Sequence, residues 1–526
     1  MNSVARAGRP TDWRVLSLDG SGMGSDQVVG GHLILQHVRC GLGDDNDSQA
    51  PGAERARSMA AQASETVGSA MHWQDRIRQA ALARDVQRVL ADRGVVALAA
   101  TWVDNSGVTR VKAVPLGRLE SAAAWGIGAS PVFDAFLADD WIVAGRYAGG
   151  PVGDLRLHPD LSRVVVLAEQ PGWAWAPVVR YQQDGTVHPQ DQRSLAQAAD
   201  ARLAEAGYSA RMAFELEWAI STTEPEFTPA ANGPAYGFTR VIERSDYLRD
   251  LLTALDRQDV SVDQIHPEYG SAQYEISVAA EDPVAAADTS VLVRQTIRAL
   301  SMRYGLHTSF SPKVVADGVG NGGHVHISLW RNDSNLFSGG PGRNEMSHDA
   351  EAFAAGILAH LPGLLAIGAG SLASYLRLIP SHWAAPYQVW GLENREAALR
   401  LITGSPGNGD AANLEIKAFD ESANPYLVVA GLIHAGLAGI SSAATLPEPV
   451  DVDPASITDT DKAEQGISPL PGTLGAATNA FEADEVLTEA LGPALAATIV
   501  DLRRAEIARS ANASPEEIVS AARWKY

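Results

Sequence analysis

A lysine, a glycine-rich turn and a His-x-His pair fall together at residues 310–330, which read FSPKVVADGVGNGGHVHISLW. A strand places residues two apart on one face, so His324 and His326 can enter one cavity. Gly318, Gly320, Gly322 and Gly323 let backbone amides approach a ligand closely. The stretch has the makings of a metal and phosphate site, and taken alone it describes a glycine-rich hairpin with satisfied histidines equally well. Carboxylates elsewhere weigh on the choice. RMAFELEWAI at 211–220 alternates so that Glu215 and Glu217 share a face, and a strand hardly buries two carboxylates without a counter-ion. HPEYGSAQYEI supplies His266, Glu268 and Glu275, and NLEIKAF supplies Glu415 and Lys417. Several carboxylates, few histidines and no usable cysteine describe a site for hard divalent cations, Mg2+ or Mn2+, with about enough ligands for two. Arg377, Arg395 and Arg400 lie in stretches otherwise apolar enough to be buried. They need anionic partners, either phosphate or carboxylate ligands or a structural pairing with Glu393 or Glu396.

The chain that must position these groups has 526 residues, too many for one ordinary core, so two domains or one large domain with an accessory one are expected. Its 46% hydrophobic and 20% charged content are those of a soluble globular protein. A formal net charge of -22 argues against nucleic acid, whose phosphates would be repelled, and is compatible with a cationic small molecule, although solubility alone accounts for it as well. The single cysteine, Cys40, excludes an internal disulfide framework and fits a reducing cytoplasm. No signal peptide is read at the N-terminus. Uncharged stretches at 352–376 and 422–446 are broken by proline, glycine and polar residues, so buried helices are expected there rather than membrane spans.

Residues 1–75 carry a GSGMG turn at 20–24 and a DDND cluster at 44–47 without a sustained apolar period, and read as an extension. A helix is predicted over 73–93, then strands over 95–104 and 108–116 flanking Asn105-Ser106-Gly107 as a hairpin, and a further strand over 163–170. That small sheet domain spans 76–177. A helix over 194–206 belongs to the larger domain, 178–526, where strands bearing acidic residues alternate with helices before a helical tail.

HPEYGSAQYEI, SPKVVADGVGNGGHVHISLW, NREAALRL, LEIKAFDESANPYL and LPGTLGAA occur in the order and spacing of glutamine synthetase, and the chain from about residue 95 to 526 resembles that family. The resemblance implies an α+β fold, an N-terminal β-grasp domain followed by a catalytic domain whose antiparallel sheet forms a funnel-like site. It implies a homo-oligomer, commonly a dodecamer of two stacked hexameric rings, each site completed by a neighbour's N-terminal domain. By resemblance Glu217, Glu268 and Glu275 hold one metal, and Glu215, His324 and Glu415 the other. Arg395 and Arg400 correspond to arginines at the transferring phosphoryl group. His326 and Ser328 lie where the family contacts ATP, with Lys313 on the neighbouring loop, and Gly320 and Arg377 lie where it holds glutamate. The implied chemistry is attack of the glutamate γ-carboxylate on ATP, giving γ-glutamyl phosphate and ADP, after which an amine displaces phosphate.

The departures from the family bear on that amine. Ammonia-using members carry an aspartate in a Phe-Asp-Gly-Ser-Ser motif and a glutamate in a Pro-Gly-Tyr-Glu-Ala-Pro flap, which bind and deprotonate ammonium. Here GIGASPVF at 126–133 and PSHWAAP at 380–386 put Gly128 or Ala129, and Trp383, in those places. Losing both carboxylates removes the base, and a tryptophan offers an apolar or cation–π wall to an alkylamine. This resembles the branch of the family, known in actinobacteria, that glutamylates polyamines and other primary amines. Asp134, Asp139 and Asp140 follow the altered motif and are candidates for a distant ammonium group, or simply a solvated acidic turn. Lys417 and Asn413 stand where the family has arginines near the substrate, and lysine keeps the charge without the bidentate fork. No counterpart of an adenylylated tyrosine is found. The expectation is an ATP-dependent carboxylate–amine ligase. An ammonia-using glutamine synthetase and a non-catalytic ring-forming relative are the alternatives.

Overall fold

The computed structural model describes residues 70–147 and 149–526. The glycine turn at 20–24, the acidic cluster at 44–47, Cys40 and nearly all of the extension lie outside them. The first element, α1 (Trp73–Asp92), begins where the Asp75 carboxylate accepts a hydrogen bond from the His72 amide at 2.9 Å. It buries Ala83, Val86 and Leu90 along one stripe. β1 (Ala97–Val103) and β2 (Thr109–Pro115) form the expected hairpin, Ala97 opposite Pro115 and Val103 opposite Thr109. Asp104 Oδ1 closes the turn by accepting from the amides of Ser106 at 2.9 Å and Val108 at 3.0 Å.

After α2 (Leu119–Trp125) come β3 (Ile127–Ala129), β4 (Leu155–Pro159), β5 (Val165–Val166) and β6 (Trp173–Tyr181). They complete a mixed six-stranded sheet in the order β2-β1-β6-β4-β3, with β5 on β6. Leu98 and Ala174 join α1 in the core on one face. The strand read over 163–170 shrinks to the two residues of β5. Residue 177 falls inside β6, which pairs with β4 as far as Tyr181, so the sheet continues past the boundary drawn there.

The larger domain is a nine-stranded sheet with helices against it. α3 (Gln192–Glu205) leads to β7 (Ser209–Ser221), α4 (Phe238–Glu243), α5 (Ser245–Arg257), β8 (Val262–Pro267) and β9 (Gln273–Val278). α6 (Pro283–Arg303), β10 (His307–Ser309), β11 (Gly323–Arg331), β12 (Ser334–Asn335), α7 (His348–Gly368) and α8 (Ser374–Arg377) follow, then β13 (Trp390–Leu392), β14 (Leu399–Ile402), β15 (Asn413–Ile416) and α9 (Pro425–Ser441). The strand order is β13-β14-β15-β11-β7-β9-β8, with β10 on β7 and β12 on β11. Pairing is antiparallel except between β13 and β14. The whole is an α+β fold.

Alternation along β7 sends Met212, Phe214 and Leu216 into the core beneath the helices and leaves Glu215 and Glu217 on the opposite face. The uncharged stretches are α7 and α9, packed so closely that a Cβ on Gly356 would lie 2.2 Å from Ala435 O. By length and composition α7 could cross a membrane, yet 83% of its apolar window is buried in this core. The tail is helical, α10 (Asp459–Gln465), α11 (Leu474–Ala483), α12 (Glu485–Arg509) and α13 (Pro515–Ala522). The two sheets meet at the β1–β2 turn. Asn424 Nδ2 donates to Val103 O at 3.0 Å and Asp104 O at 3.2 Å, and an Arg503 Nη2 bond to Asn105 O at 3.1 Å adds to the seal.

Candidate active site

Cross-strand register collects the polar residues on the open face of the large sheet. His324 on β11 stands opposite Glu215 on β7, and Glu217 stands opposite Glu275 on β9. His266 on β8 faces the same Glu275, while Glu415 on β15 lies opposite both His326 and Arg400. Directly opposed residues project to the same side of a sheet, so separate segments of sequence deliver one polar surface. It walls a cavity of about 1140 Å3, whose lining includes all six of those predicted metal ligands.

Within it His324 Nδ1 is 2.8 Å from Glu215 Oε1 and 3.5 Å from Glu415 Oε1, and His324 Nε2 is 3.8 Å from Glu217 Oε1. His326 Nε2 lies 3.6 Å from Glu215 Oε2, and His266 Nε2 lies 3.1 Å from Glu275 Oε1. Among the described residues, three sets have ligand atoms within 4.8 Å of one another: Glu215, His326 and Glu415; Glu215, Glu275 and His324; His266, Glu268 and Glu275. The grouping differs from the one implied by resemblance. His266 enters a set, and Glu217 is instead held by Gln273 Nε2 at 2.8 Å. A donor set of carboxylate oxygens and imidazole nitrogens without sulfur suits a hard divalent cation.

The carboxylates divide electrostatically. Burial, reinforced by Glu275 and Glu268, pushes Glu217 up to about 8, and burial pushes Glu275 up to about 7 against the hydrogen bond from His266. For Glu215 burial is outweighed by hydrogen bonds from His324 and His326, which hold it well below the usual range. Glu415 falls to about 2 because Lys417, His326 and His324 overcome its burial. Burial and Lys417 take His324 down to about 4, whereas His326 rises to about 9, its burial outweighed by Glu215 and Glu415.

Cations surround this acidic floor. Lys417 Nζ donates to Glu415 Oε1 at 3.1 Å, and Arg400 Nη1 donates to Glu415 Oε2 at 3.1 Å. Arg377 Nη2 reaches His324 Nε2 at 3.3 Å and Lys417 O at 3.1 Å. Arg377 Nη1 and Arg400 Nε are buried with no hydrogen-bond partner among the described residues, a state that an anion entering the cavity would relieve. Arg395 is exposed on the cavity wall. Lys313 and Gly320 line it from the glycine-rich loop, where Lys313 Nζ donates to Gly318 O.

Trp383, on the segment after α8, lies 53% exposed at the cavity edge, its backbone amide held by Glu396 Oε1 at 2.9 Å. Ser328 is buried and accepts from Trp330 Nε1 at 2.8 Å, and it is not among the residues that line the cavity. Asp134 is not available to an amine either, because it is buried between Arg180 Nη1 at 2.5 Å and His188 Nε2 at 2.7 Å. Asp140 pairs with Arg110 and Asp139 with Arg509. Their partners arise far along the chain, so an acidic turn in sequence becomes a set of structural ion pairs.

A family model described as the glutamine synthetase catalytic domain matches residues 189–520. The chain belongs to the glutamine synthetase family. It is 51% identical over 442 residues to gamma-glutamylpolyamine synthetase GlnA3 of Streptomyces coelicolor, covering 83% of this chain and 95% of that one. Glutamine synthetase of Methanocaldococcus jannaschii is 31% identical over 68% of this chain and 81% of its own. A crystal structure of a novel glutamine synthase homolog superimposes with TM-score 0.73 at 34% identity, covering 82% and 99% of the two chains. A GmaS complex with ADP superimposes with TM-score 0.71 at 26% identity, covering 82% and 97%. The protein is therefore a carbon–nitrogen ligase of the glutamine synthetase family, whose members depend on ATP and a divalent metal and use glutamate and an amine.

His266, to which the sequence pattern assigns no specific role, lines the cavity, as do Gln264 and Tyr236, which the pattern does not single out. The signal for two of them was available, since Gln264, His266 and Glu268 alternate at strand spacing. Tyr236 sits on a loop, where no periodicity marks it. Its hydroxyl donates to Glu268 Oε2 at 2.9 Å.

Proposed function

We propose that the protein joins the γ-carboxylate of glutamate to an organic amine, a polyamine or related primary amine, with ATP as the activating co-substrate. The observation that carries this reading is Trp383, an exposed indole at the cavity edge where ammonia-using relatives need a carboxylate. An aromatic face attracts an alkylammonium through its quadrupole and apolar area but cannot take a proton as a base. The likeness to gamma-glutamylpolyamine synthetase supports the same reading.

In the first half-reaction a γ-carboxylate oxygen forms a bond to the terminal phosphorus of ATP, and the bond from that phosphorus to the bridging oxygen breaks, releasing ADP. In the second, the neutral amine nitrogen attacks the acyl carbon, phosphate leaves with the C–O bond pair, and nitrogen gives its proton to the departing phosphate or to water. Arg377, with its unpartnered Nη1, and Gly320 receive the acid substrate beside Lys417. Arg395 and Arg400 lie against the phosphoryl oxygens, and His326 and Lys313 belong to the nucleotide side, while Ser328, outside the cavity lining, has no direct part. Positive groups fixed in advance around developing phosphoryl charge lower the barrier without reorganising. Glu215, Glu217, Glu268, Glu275, His324 and Glu415 hold Mg2+ or Mn2+, with His266 added, and a bound divalent ion supplies further charge neutralisation at the phosphates. A ring assembly, a dodecamer of two stacked hexamers, completes each site with Gly128 and Ala129 from a neighbouring chain.

The test is phosphate release by the purified protein with ATP, Mg2+ and glutamate, comparing ammonium with putrescine, spermidine, spermine, ethanolamine and monoamines, and product mass as confirmation. Strong turnover with an organic amine and little with ammonium is expected. Turnover with ammonium alone overturns the reading.

A further inference from the structure

The loop that carries Lys313 and Gly320 is a septum between two cavities. Lys313, Asp317 and Gly320 line the large cavity. Val314, Val315 and Asn321 line a second one, of about 230 Å3, together with Phe227 and Pro229. Gly318 and Val319 belong to both walls. The part from Val315 to Gly320, with space on both faces, has few apolar contacts to keep it in place, so its position depends on how its two ends are held. Asn321 joins those ends, donating from its amide to Pro312 O at 3.0 Å and from Nδ2 to Ser311 O at 2.9 Å. Near Gly320 further hydrogen bonds come from Gln273, whose Nε2 donates to Gly320 O at 2.8 Å and to Asn321 Oδ1 at 3.0 Å.

At the other end they come from residues 523–526. Arg523, only 9% exposed, donates from Nε to Val314 O at 2.8 Å and from Nη1 to Pro225 O at 2.9 Å. Trp524 Nε1 donates to the same Pro225 O at 2.8 Å. Ser309 Oγ donates to Arg523 O, and the Phe310 amide donates to Tyr526 O at 3.0 Å. A guanidinium shared between two carbonyls fixes both at once. It thereby ties the start of the substrate loop to the segment after β7, more than 80 residues upstream of that loop (Pro225 to Val314).

We propose that Arg523 is a positioning residue for the acid-substrate half of the site. Acting through Val314 O, it holds the Lys313–Gly320 loop where Gly320 and Arg377 receive the substrate carboxylates. Arg377 and the loop are already in contact distance, since a Cβ on Gly320 would lie 2.6 Å from Arg377 Cγ. A shift of the loop therefore moves the arginine as well. The inference rests on the proposed glutamate-binding role of this loop.

The experiment compares wild type with Arg523→Met, which keeps the buried stem and removes both donors, and with Arg523→Lys, which keeps the charge and one donor. Hydrogen exchange of the amides of 313–320 in the full chain without substrate is read first. Exchange is expected to rise in Arg523→Met and to rise less in Arg523→Lys, with melting temperature lowered by only a few degrees in Arg523→Lys. In steady state the KM for glutamate is expected to rise about tenfold in Arg523→Met, as loss of a charged hydrogen bond dictates. The KM for ATP and for the amine, and kcat, stay within about twofold. Unchanged exchange at 313–320 in both variants overturns the proposal. So does a fall in kcat tracking the melting temperature with the KM for glutamate unmoved, the signature of a merely structural arginine. Should Arg523→Met fail to fold, Arg523→Lys alone decides by the same exchange and KM criteria. If wild type turns over no glutamate at all, the functional reading fails, while the exchange data still decide whether Arg523 holds the loop.

Discussion

Gly322 offers a sharp test of the site, because adding one methyl group there strikes three of its side chains. A Cβ at this position would lie 2.5 Å from His324 Nε2, 2.7 Å from Glu217 Oε1 and 3.0 Å from Arg377 Nη2. The backbone at Gly322 is not in the left-handed region, so alanine brings no conformational strain, and the whole effect falls on those neighbours. Non-bonded heavy atoms settle at about 3.5 Å or more, so the imidazole and the carboxylate must each retreat by roughly 0.8–1 Å. Metal ligands tolerate displacements of about 0.2 Å, several times less than this. Disturbing the support of metal ligands typically costs about 10–100-fold in affinity, or about 1.4–2.7 kcal/mol. Titration of Gly322→Ala with Mn2+, followed by electron paramagnetic resonance, should show that loss with little change in melting temperature. Gly472→Ala, where an added Cβ meets nothing within 4 Å, serves as the control. Wild-type Mn2+ affinity in Gly322→Ala would refute the view that His324 and Glu217 each help to hold a cation in this cavity.

Other perturbations probe the electrostatics. With Glu217 at about 8 and Glu275 at about 7, both hold protons near neutrality that a cation must displace. Calorimetry at pH 7 in buffers of different ionisation enthalpy should report release of at least one proton per chain. Glu217 is mostly and Glu275 about half protonated there, and His326, raised to about 9, adds to the count where its ring ligates. A buffer-independent enthalpy contradicts this. Burial takes His158 from 6.5 down to about 4, so its neutral form contributes stability above pH 6.5 that is lost as pH falls towards 4. That difference is about 3 kcal/mol. Melts of wild type and His158→Gln should therefore differ at pH 7.5 and converge near pH 4.5, whereas parallel curves would exclude the mechanism. Arg180 is buried between Asp134 and Asp191. Arg180→Met leaves Asp134 with His188 alone and Asp191 with neutral hydrogen bonds such as those from Ser194, two buried carboxylates without their shared cation. A loss of about 3–5 kcal/mol follows, visible as a melting temperature lowered by roughly 3–5 °C for a chain of this size, and an unchanged melting temperature speaks against it.

What the sequence made legible is what local periodicity encodes. Alternation on β7 put Glu215 and Glu217 on one face, the Asp104–Gly107 turn announced a hairpin, and the apolar stretches became α7 and α9. What it concealed depends on partners distant in the chain. Asp134 looked solvated because Arg180 and His188 arrive about 50 residues later. His266 gained its role only when β8 was set against β9 so that it faces Glu275. The same dependence explains why the site forms as a unit. β11 pairs with β7 on one side and β15 on the other, Val325 lying opposite Phe214 and Ile416. A slip by one residue would turn His324 and His326 into the core and Val325 and Ile327 into the cavity. Burial of Val325, Ile327, Phe214 and Ile416 resists that slip far more strongly than the repulsion among the glutamates favours it. The apolar face of the sheet thus holds together a cluster of carboxylates that would otherwise disperse, and it is this proximity that gives them the geometry to share a cation.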